Sequence, residues 1–295
     1  MLRQQGFIRT LALALVGFTA CASPVVYVVT GNQQFGTIDI GTGIFRQIGP
    51  ATPDENVGLI PGPNGSLLTL TVSGNLDAIN PSTGIATVIG ATGLGACSTP
   101  ADPCGPKSAN ALGLLNGTIY ATDFQNNLYT VSPLTGKATL VGPTGVPPVT
   151  FVPLSTPNPD GSLNFFGEGL FSASGKLYAT FDTGTVNFMT GVVTPTSTEN
   201  IYQIDPLTGK TTLVTPATFA LDTVVNVNGT LYAVENDNGQ VDLLSLATGK
   251  TTVLSTLDPS VGFIDGASPV PEPASVAMIG VGMAALGLTR MRRRR

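Results

Sequence analysis

The side chains that most often carry out protein chemistry are scarce in this chain, and what is missing excludes more than what is present suggests. None of the 295 residues is His or Trp. Ser-His-Asp and Cys-His catalysis and His-ligated zinc are thereby excluded. A Ser or Thr nucleophile would have only Lys as a conventional base, and no Ser-x-x-Lys occurs. Two carboxylates can hydrolyse a glycoside. The glutamates between the chain's ends are Glu55, Glu168, Glu199 and Glu235, and no motif selects two of them. Acids also recur at intervals, as Asp123, Asp182, and Glu235 with Asp237. These four are candidate oxygen ligands for a Ca²⁺ ion. The run Glu235-Asn236-Asp237-Asn238-Gly239 lacks the ligand spacing of an EF-hand loop, and a polar turn is the alternative reading. No organic cofactor is expected. Cys97 and Cys104 flank a segment with two prolines and read as a local disulfide in an oxidising compartment.

Charge shows where the chain's business lies. Of 13 basic residues, seven lie at the two ends, leaving Arg46, Lys107, Lys137, Lys176, Lys210 and Lys250 in residues 23–269. The same stretch holds 17 of the 18 acids, for a formal charge of −11. A nucleic-acid partner needs cations facing phosphates and is excluded on that count. The N-terminus reads as a secretory signal: Arg3 and Arg9, an apolar run over 11–19, then Ala20-Cys21-Ala22 as an A-x-A site with cleavage after Ala22. The rival reading takes 18–21 as a lipobox with Cys21 lipidated.

At the other end Val270-Pro271-Glu272-Pro273 precedes a small-residue apolar stretch over 274–289, then Arg290, Met291 and Arg292, Arg293, Arg294, Arg295. As a helix those sixteen residues reach about 24 Å, slightly short of a hydrocarbon core of roughly 30 Å. Terminal arginines snorkel and favour the cytoplasmic side. Pro-Glu-Pro, an apolar helix and a terminal arginine cluster resemble the PEP-CTERM sorting signal of Gram-negative bacteria over about 269–295. The resemblance implies an exported protein whose tail is recognised and cleaved by an exosortase-type membrane enzyme. Pro271, Glu272, Pro273 and the arginines are then recognition residues for that enzyme. It also implies a cell that makes exopolysaccharide or biofilm. An ordinary transmembrane anchor is the alternative.

Between the ends the chain repeats. One element recurs at Asn64-Gly65, Asn116-Gly117, Ser174-Gly175 and Asn228-Gly229. A second recurs downstream of each, as Asn80-Pro-Ser-Thr-Gly84, Ser132-Pro-Leu-Thr-Gly136, Asp205-Pro-Leu-Thr-Gly209 and Ser245-Leu-Ala-Thr-Gly249, with Asp39-Ile-Gly-Thr-Gly43 near the start. Asn-Gly between apolar runs is a hairpin signal, and Pro-x-Thr-Gly is a turn. Alternating runs between them, such as Thr118-Ile-Tyr-Ala-Thr122, predict strands, four to a unit. Three turns match N-x-[ST], but their place in the repeat makes them turns first. Four-stranded meanders at this period resemble β-propeller blades, and the copies count to about five. The opening run Val25–Val29 reads as a second strand and Val261–Asp265 as the missing first strand, which would join the ends of a ring. Residues 183–198 and 143–165 break the period and read as surface loops. Four to six blades, or a β-solenoid, are the alternatives.

The sequence therefore predicts an all-β propeller, with a signal helix before it and an apolar helix after it. The divisions are a signal peptide at 1–22, a repeat body at 23–268 and a sorting tail at 269–295. The expected function is that of an exported, non-enzymatic structural or binding module at the cell surface or in the extracellular matrix. Its expected partners are the processing enzyme, the inner membrane transiently through the tail and, by family association, exopolysaccharide or surface proteins. The alternative is a secreted polysaccharide-active hydrolase or lyase, which converging carboxylates in the ring's channel would favour.

Overall fold

The computed structural model describes residues 23–50, 54–95, 107–147, 150–151, 169–183, 185–187, 192–193, 198–217, 221–235, 239–259 and 261–270. Within them the chain closes into a five-bladed β-propeller. The first blade holds β1 (Val25–Thr30), β2 (Gln34–Asp39) and β3 (Phe45–Pro50). The second is β4 (Asn56–Pro61), β5 (Leu67–Thr71), β6 (Asn75–Ile79) and β7 (Ala86–Ala91). The third is β8 (Ala109–Leu115), β9 (Thr118–Asp123), β10 (Asn127–Val131) and β11 (Ala138–Pro143). Between it and the fourth lies β12 (Thr150–Phe151). The fourth blade takes β13 (Leu170–Ala173) and β14 (Lys176–Thr183), then, past β15 (Thr185–Asn187) and β16 (Val192–Val193), β17 (Thr198–Ile204) and β18 (Thr211–Pro216). The fifth is β19 (Thr223–Val227), β20 (Thr230–Glu235), β21 (Gln240–Ser245) and β22 (Lys250–Thr256). The last strand, β23 (Ile264–Pro269), pairs with β1 and becomes the inner strand of the first blade. The ring is thus shut by the two ends of the body, as the sequence predicts. The closing strand lies three residues later than expected, at Ile264–Pro269 rather than 261–265, because Val261 closes a turn onto the Asp258 carbonyl and Gly262 has φ of 71°.

Two further expectations need correction or placement. The two irregular segments are more than loops: β12 pairs in parallel with β15, and β15 with β16, so they meet in a small three-stranded sheet. Among the described residues there is one 3-10 turn, Pro63–Gly65, and no α-helix. The expected signal and tail helices, Ala20, Ala22, Cys97, Cys104 and the sorting-signal residues all lie outside the described residues.

Alternation explains the core. Inner strands are buried on both faces, so successive residues serve neighbouring interfaces. Val26 and Val28 join a cluster with Val225, Val234 and Val241 of the fifth blade, while Val29 and Phe35 join one with Leu59, Leu67 and Ile79 of the second. Leu68, Leu70 and Leu76 face Leu112 and Ile119 of the third blade. The third and fourth blades meet through Leu128, Leu170 and Phe181, the fourth and fifth through Tyr178, Leu221 and Leu231. There are five interface cores rather than one. Burying one such Leu contributes about 2 kcal/mol.

The two repeated sequence elements do different work. Asn64, Asn116, Ser174 and Asn228 have φ near +50°, each followed by a glycine with φ of 73–86°, as a two-residue primed hairpin requires. Nothing lies within 4 Å of a Cβ placed at Gly65, Gly117, Gly175 or Gly229, so the requirement there is conformational alone. The Thr-Gly turn is different. In all five blades its glycine N–H donates to the carbonyl four residues back at 2.8 Å. A side-chain oxygen of Asp39, Asn80, Ser132 or Asp205 accepts N–H groups of its own turn. Each of these glycines also touches the backbone of the preceding blade. A Cβ on Gly209 would lie 2.7 Å from the Gly142 carbonyl oxygen, and one on Gly142 2.5 Å from that of Thr208. Gly49 meets Thr83 and Gly84, Gly90 meets Thr135, Gly249 meets Pro216, and Gly43 meets Thr256 in the same way. The outer pair of every blade carries one bulge, its extra residue being Ile48, Ile89, Val141, Val214 or Leu254. That bulge bends the outer strand where the neighbour's turn lands.

Gly142→Ala and Gly117→Ala separate the two roles. The second meets only left-handed strain and is expected to cost about 1 kcal/mol. The first has no positive φ but forces two backbones apart, and is expected to cost about 3 kcal/mol. Urea midpoints at unchanged slope measure both.

Candidate functional site: the axial mouth

Antiparallel order sorts the connections onto two faces. Turns from first to second and from third to fourth strands lie on one face. The other face carries the second-to-third turns and every connection between blades. The longest connections between strands of the blades, from Ala91 to Ala109, Pro143 to Leu170 and Thr183 to Thr198, all open on this second face. Each inner strand begins there.

The inner strands of all five blades surround a cavity of about 160 Å³ on the ring axis. Its wall mixes apolar side chains, Leu59, Leu112, Phe171 and Val224 among them, with polar ones such as Ser172, Thr223 and Asn226. The strands come so close that a Cβ on Gly266 would lie 2.5 Å from the Leu59 nitrogen. Asp222 and Asp265 also line it. Asp222 directly precedes β19, and Asp265 sits in the bulge at the start of β23, so both stand at the mouth. Glu55 precedes β4 at the corresponding level of the second blade.

Burial and neighbouring carboxylates raise the pKa of two of these acids, Glu55 and Asp265. Burial, then the neighbouring Asp54 carboxylate, pushes the half-buried Glu55 up to about 7. Asp265 is held well above the ordinary carboxylate range by burial, then by the charges of Glu55 and Asp222. Its Oδ2 is fully buried and accepts no hydrogen bond, although part of the residue remains exposed. A carboxylate oxygen so placed favours a proton or a donor brought by a ligand.

The acids singled out from the sequence occupy other places. Asp123 ends β9, and its oxygens accept from the Gln125 N–H at 3.0 Å, the Asn127 N–H at 2.8 Å, the Asn127 amide at 3.0 Å and the Tyr129 hydroxyl at 2.8 Å. Thr30 and Thr71 hold the corresponding position in the first and second blades and likewise accept the N–H four residues on. Asp123 therefore builds its turn. Glu235 ends β20, two blades away, is buried and accepts from the Thr251 hydroxyl at 3.3 Å. Asp182 belongs to β14, its backbone opposite Glu199. The Glu199 carboxylate accepts the Leu221 N–H. Asp237 and Glu168 lie outside the described residues. Among the described residues no three His, Cys, Asp or Glu side chains assemble as a metal-holding group. Asp222 and Asp265 escaped the sequence reading, and Glu55 stood out there only as one glutamate of four. The available signal was an acid at the head of an inner strand, as in Asp265-Gly266-Ala267 and Asp222-Thr223-Val224.

The architecture defines the class: a five-bladed propeller with an acid-rimmed axial mouth. Residues 269–295 match the PEP-CTERM protein-sorting motif, so the chain carries that signal, which implies an exported protein processed by a membrane exosortase. No curated protein matches the chain. Among solved structures, a chain of the nidogen/laminin complex is 11% identical with a TM-score of 0.50, over 83% of this chain and 97% of that one. Virginiamycin B lyase from Staphylococcus aureus, solved with quinupristin, is 14% identical with a TM-score of 0.38, over 75% of this chain and 63% of that one. A Bacteroides thetaiotaomicron structural-genomics protein is 14% identical with a TM-score of 0.47, over 78% and 55%. The first of these likenesses shows the fold and nothing of the activity. Among the described residues no helix is long and apolar enough to cross a membrane, and the 274–289 stretch lies outside them.

The raised Glu55 and Asp265 make stability depend on pH. A carboxyl whose folded pKa is raised contributes stability below its unfolded pKa, and that contribution is lost as pH rises through the folded value. For Glu55 the window runs from about 4.5 to about 7. Thermal melting is expected to fall as pH rises from 5 to about 7.5. In Glu55→Gln the slope should flatten, and scanning calorimetry across that range measures both.

Proposed function

We propose that the protein is an exported, non-enzymatic binding module, sorted by its tail to the cell surface or the extracellular matrix, which engages polysaccharide or another surface protein at the axial mouth. The supporting observation is the mouth itself. A small well of mixed apolar and polar lining carries the Asp222 and Asp265 carboxyl groups, with Glu55 near enough to raise Asp265, on the face where the long connections open. Apolar walls suit the faces of sugar rings or side chains, and carboxylates accept their hydroxyl or amide hydrogens. The well is below the roughly 300 Å³ at which small-molecule pockets begin. It therefore admits the end of a larger ligand rather than a whole one.

One observation favours a second reading, a polysaccharide-active hydrolase or lyase. Glu55, titrating near 7 beside other carboxylates, has the protonation state of a general acid at neutral pH.

Calorimetric titration with exopolysaccharide from the native host, with reducing-end release followed in the same samples, separates the two. The binding module gives saturable heat and no new reducing ends, and Asp265→Asn weakens binding about tenfold. Turnover that disappears in Glu55→Gln would replace this reading with the hydrolytic one. Intact mass of the protein from its host tests the sorting. The mature chain is expected to lack residues 1–22 and the tail beyond about Pro273, whereas an arginine tail retained in the membrane fraction would mean a permanent anchor.

A further inference from the structure

The face opposite the mouth has a composition of its own. It carries the Thr-Gly turns, and on their tips stand Leu134 at 85% exposure and Leu207 at 86%, with Ile44 at 53% and Ile85 at 63%. Single exposed aliphatics need no explanation. These four occupy the corresponding turn of four successive blades, so they are spaced around one rim. Exposed cations accompany them. Lys137, Lys210 and Lys250 follow the Thr-Gly pairs of the third, fourth and fifth blades, Arg46 lies at the start of β3, and Lys176 opens β14. Five of the six cations of residues 23–269 are therefore on this face. The sixth, Lys107, precedes β8 on the other.

The acids are sorted the other way. Asp54, Glu55, Asp123, Asp222, Glu235, Asp258 and Asp265 all adjoin the mouth face. On the turn face stand Asp39 and Asp205, and both are committed to their own turns. Asp39 Oδ1 accepts the N–H groups of Gly41 and Thr42, Asp205 Oδ1 that of Leu207, and Asp205 Oδ2 the Thr208 hydroxyl. A body of formal charge −11 thus presents one face that is cationic and aliphatic.

The chain leaves the ring on this same face. β23 starts at the mouth and ends at Pro269 on the turn side, and from there the sequence runs into the apolar 274–289 stretch and the arginines. The rim of Leu, Ile and Lys encircles the point from which the membrane-directed segment departs.

We infer that the Thr-Gly turn face is a membrane-docking surface, resting on anionic phospholipid headgroups while the tail holds the protein, with the axial mouth directed away from the bilayer. The inference rests on the tail-anchored stage of the proposed function. Aliphatic tips enter the interface between headgroups and acyl chains, and the lysines beside them pair with lipid phosphates. Repulsion between the anionic surface and the acidic mouth face favours the same orientation.

The absence of Trp provides the test. Full-length Leu134→Trp, Leu207→Trp and Phe263→Trp variants each carry a single tryptophan, excited apart from the six tyrosines, the last on the mouth face, where Phe263 is 49% exposed. Each is reconstituted into phosphatidylglycerol vesicles with bromine-labelled acyl chains, and flotation confirms insertion. The reporters at 134 and 207 are expected to lose roughly half their emission and the one at 263 little. Adding Lys137→Glu and Lys210→Glu, or exchanging phosphatidylglycerol for phosphatidylcholine, should reduce the quenching without abolishing flotation. Equal quenching at 134, 207 and 263 in floating protein would overturn the docking surface and leave the anchor intact. Protein that does not float would remove the tail-anchored stage, and the docking surface with it.

Discussion

No side chain fits between the Thr-Gly turn of one blade and the outer strand of the blade before it, and the rest of the ring depends on that contact. At the third-to-fourth interface Gly142 and Gly209 meet carbonyl to α-carbon, so the two backbones lie closer than any Cβ would permit. The contact recurs at all five interfaces, including the one where the chain's ends join. It sets the spacing of the blades at their outer edge, while glycines at the axis, such as Gly266 against Leu59, set it at the inner edge. Between these two limits lies a wedge of buried Leu, Val, Ile and Phe, one core to each interface. A ring built this way gains stability only when it closes, because an unpaired blade exposes a whole core face. Pairing of β23 with β1 is what leaves no blade in that position.

The same geometry concentrates charge. Five inner strands start at one mouth, and among the described residues Asp222 and Asp265 line it, with Glu55 near enough to raise Asp265. Burial raises the pKa of Glu55 and Asp265, and the charges of Glu55 and Asp222 raise that of Asp265 further. Such a mouth is poised to take a proton or a hydrogen-bond donor. The opposite rim collects most of the body's cations, because the residue after each Thr-Gly pair is Lys in three blades and Ile in the other two. Alternation of strand direction separates an acidic mouth from a rim bordering the exit of the tail.

Some of this was legible without the fold. Asn64, Asn116 and Asn228 lie in left-handed turns because Asn and Gly tolerate positive φ, and that preference is local. The opening run at Val25 reads as a second strand because it lacks a preceding partner in sequence, and β23 supplies one. Other features were misread for equally physical reasons. The closing strand starts three residues late because Val261 closes a turn onto the Asp258 carbonyl and Gly262 has φ of 71°, and an apolar pattern marks neither. Residues 143–165 and 183–198 look like separate loops, but β12 pairs with β15, a long-range contact that neither segment encodes alone. Asp123 looked like a ligand because it is acidic and periodic. Its oxygens are consumed by the turn it organises, a role Thr30 and Thr71 perform without charge.

The sequence by itself determined the C-terminal sorting signal, the exclusion of His-based chemistry and the four-stranded repeat. Each of these depends on residue types and spacings within a few dozen positions. Only the tertiary structure decided which acids meet, how close the blades stand and which residues share a face. Glu55, Asp222 and Asp265 belong to three blades far apart along the chain, and they become neighbours only when the ring closes. Their burial and mutual repulsion, from which the mouth takes its chemistry, exist in no segment of the chain taken alone.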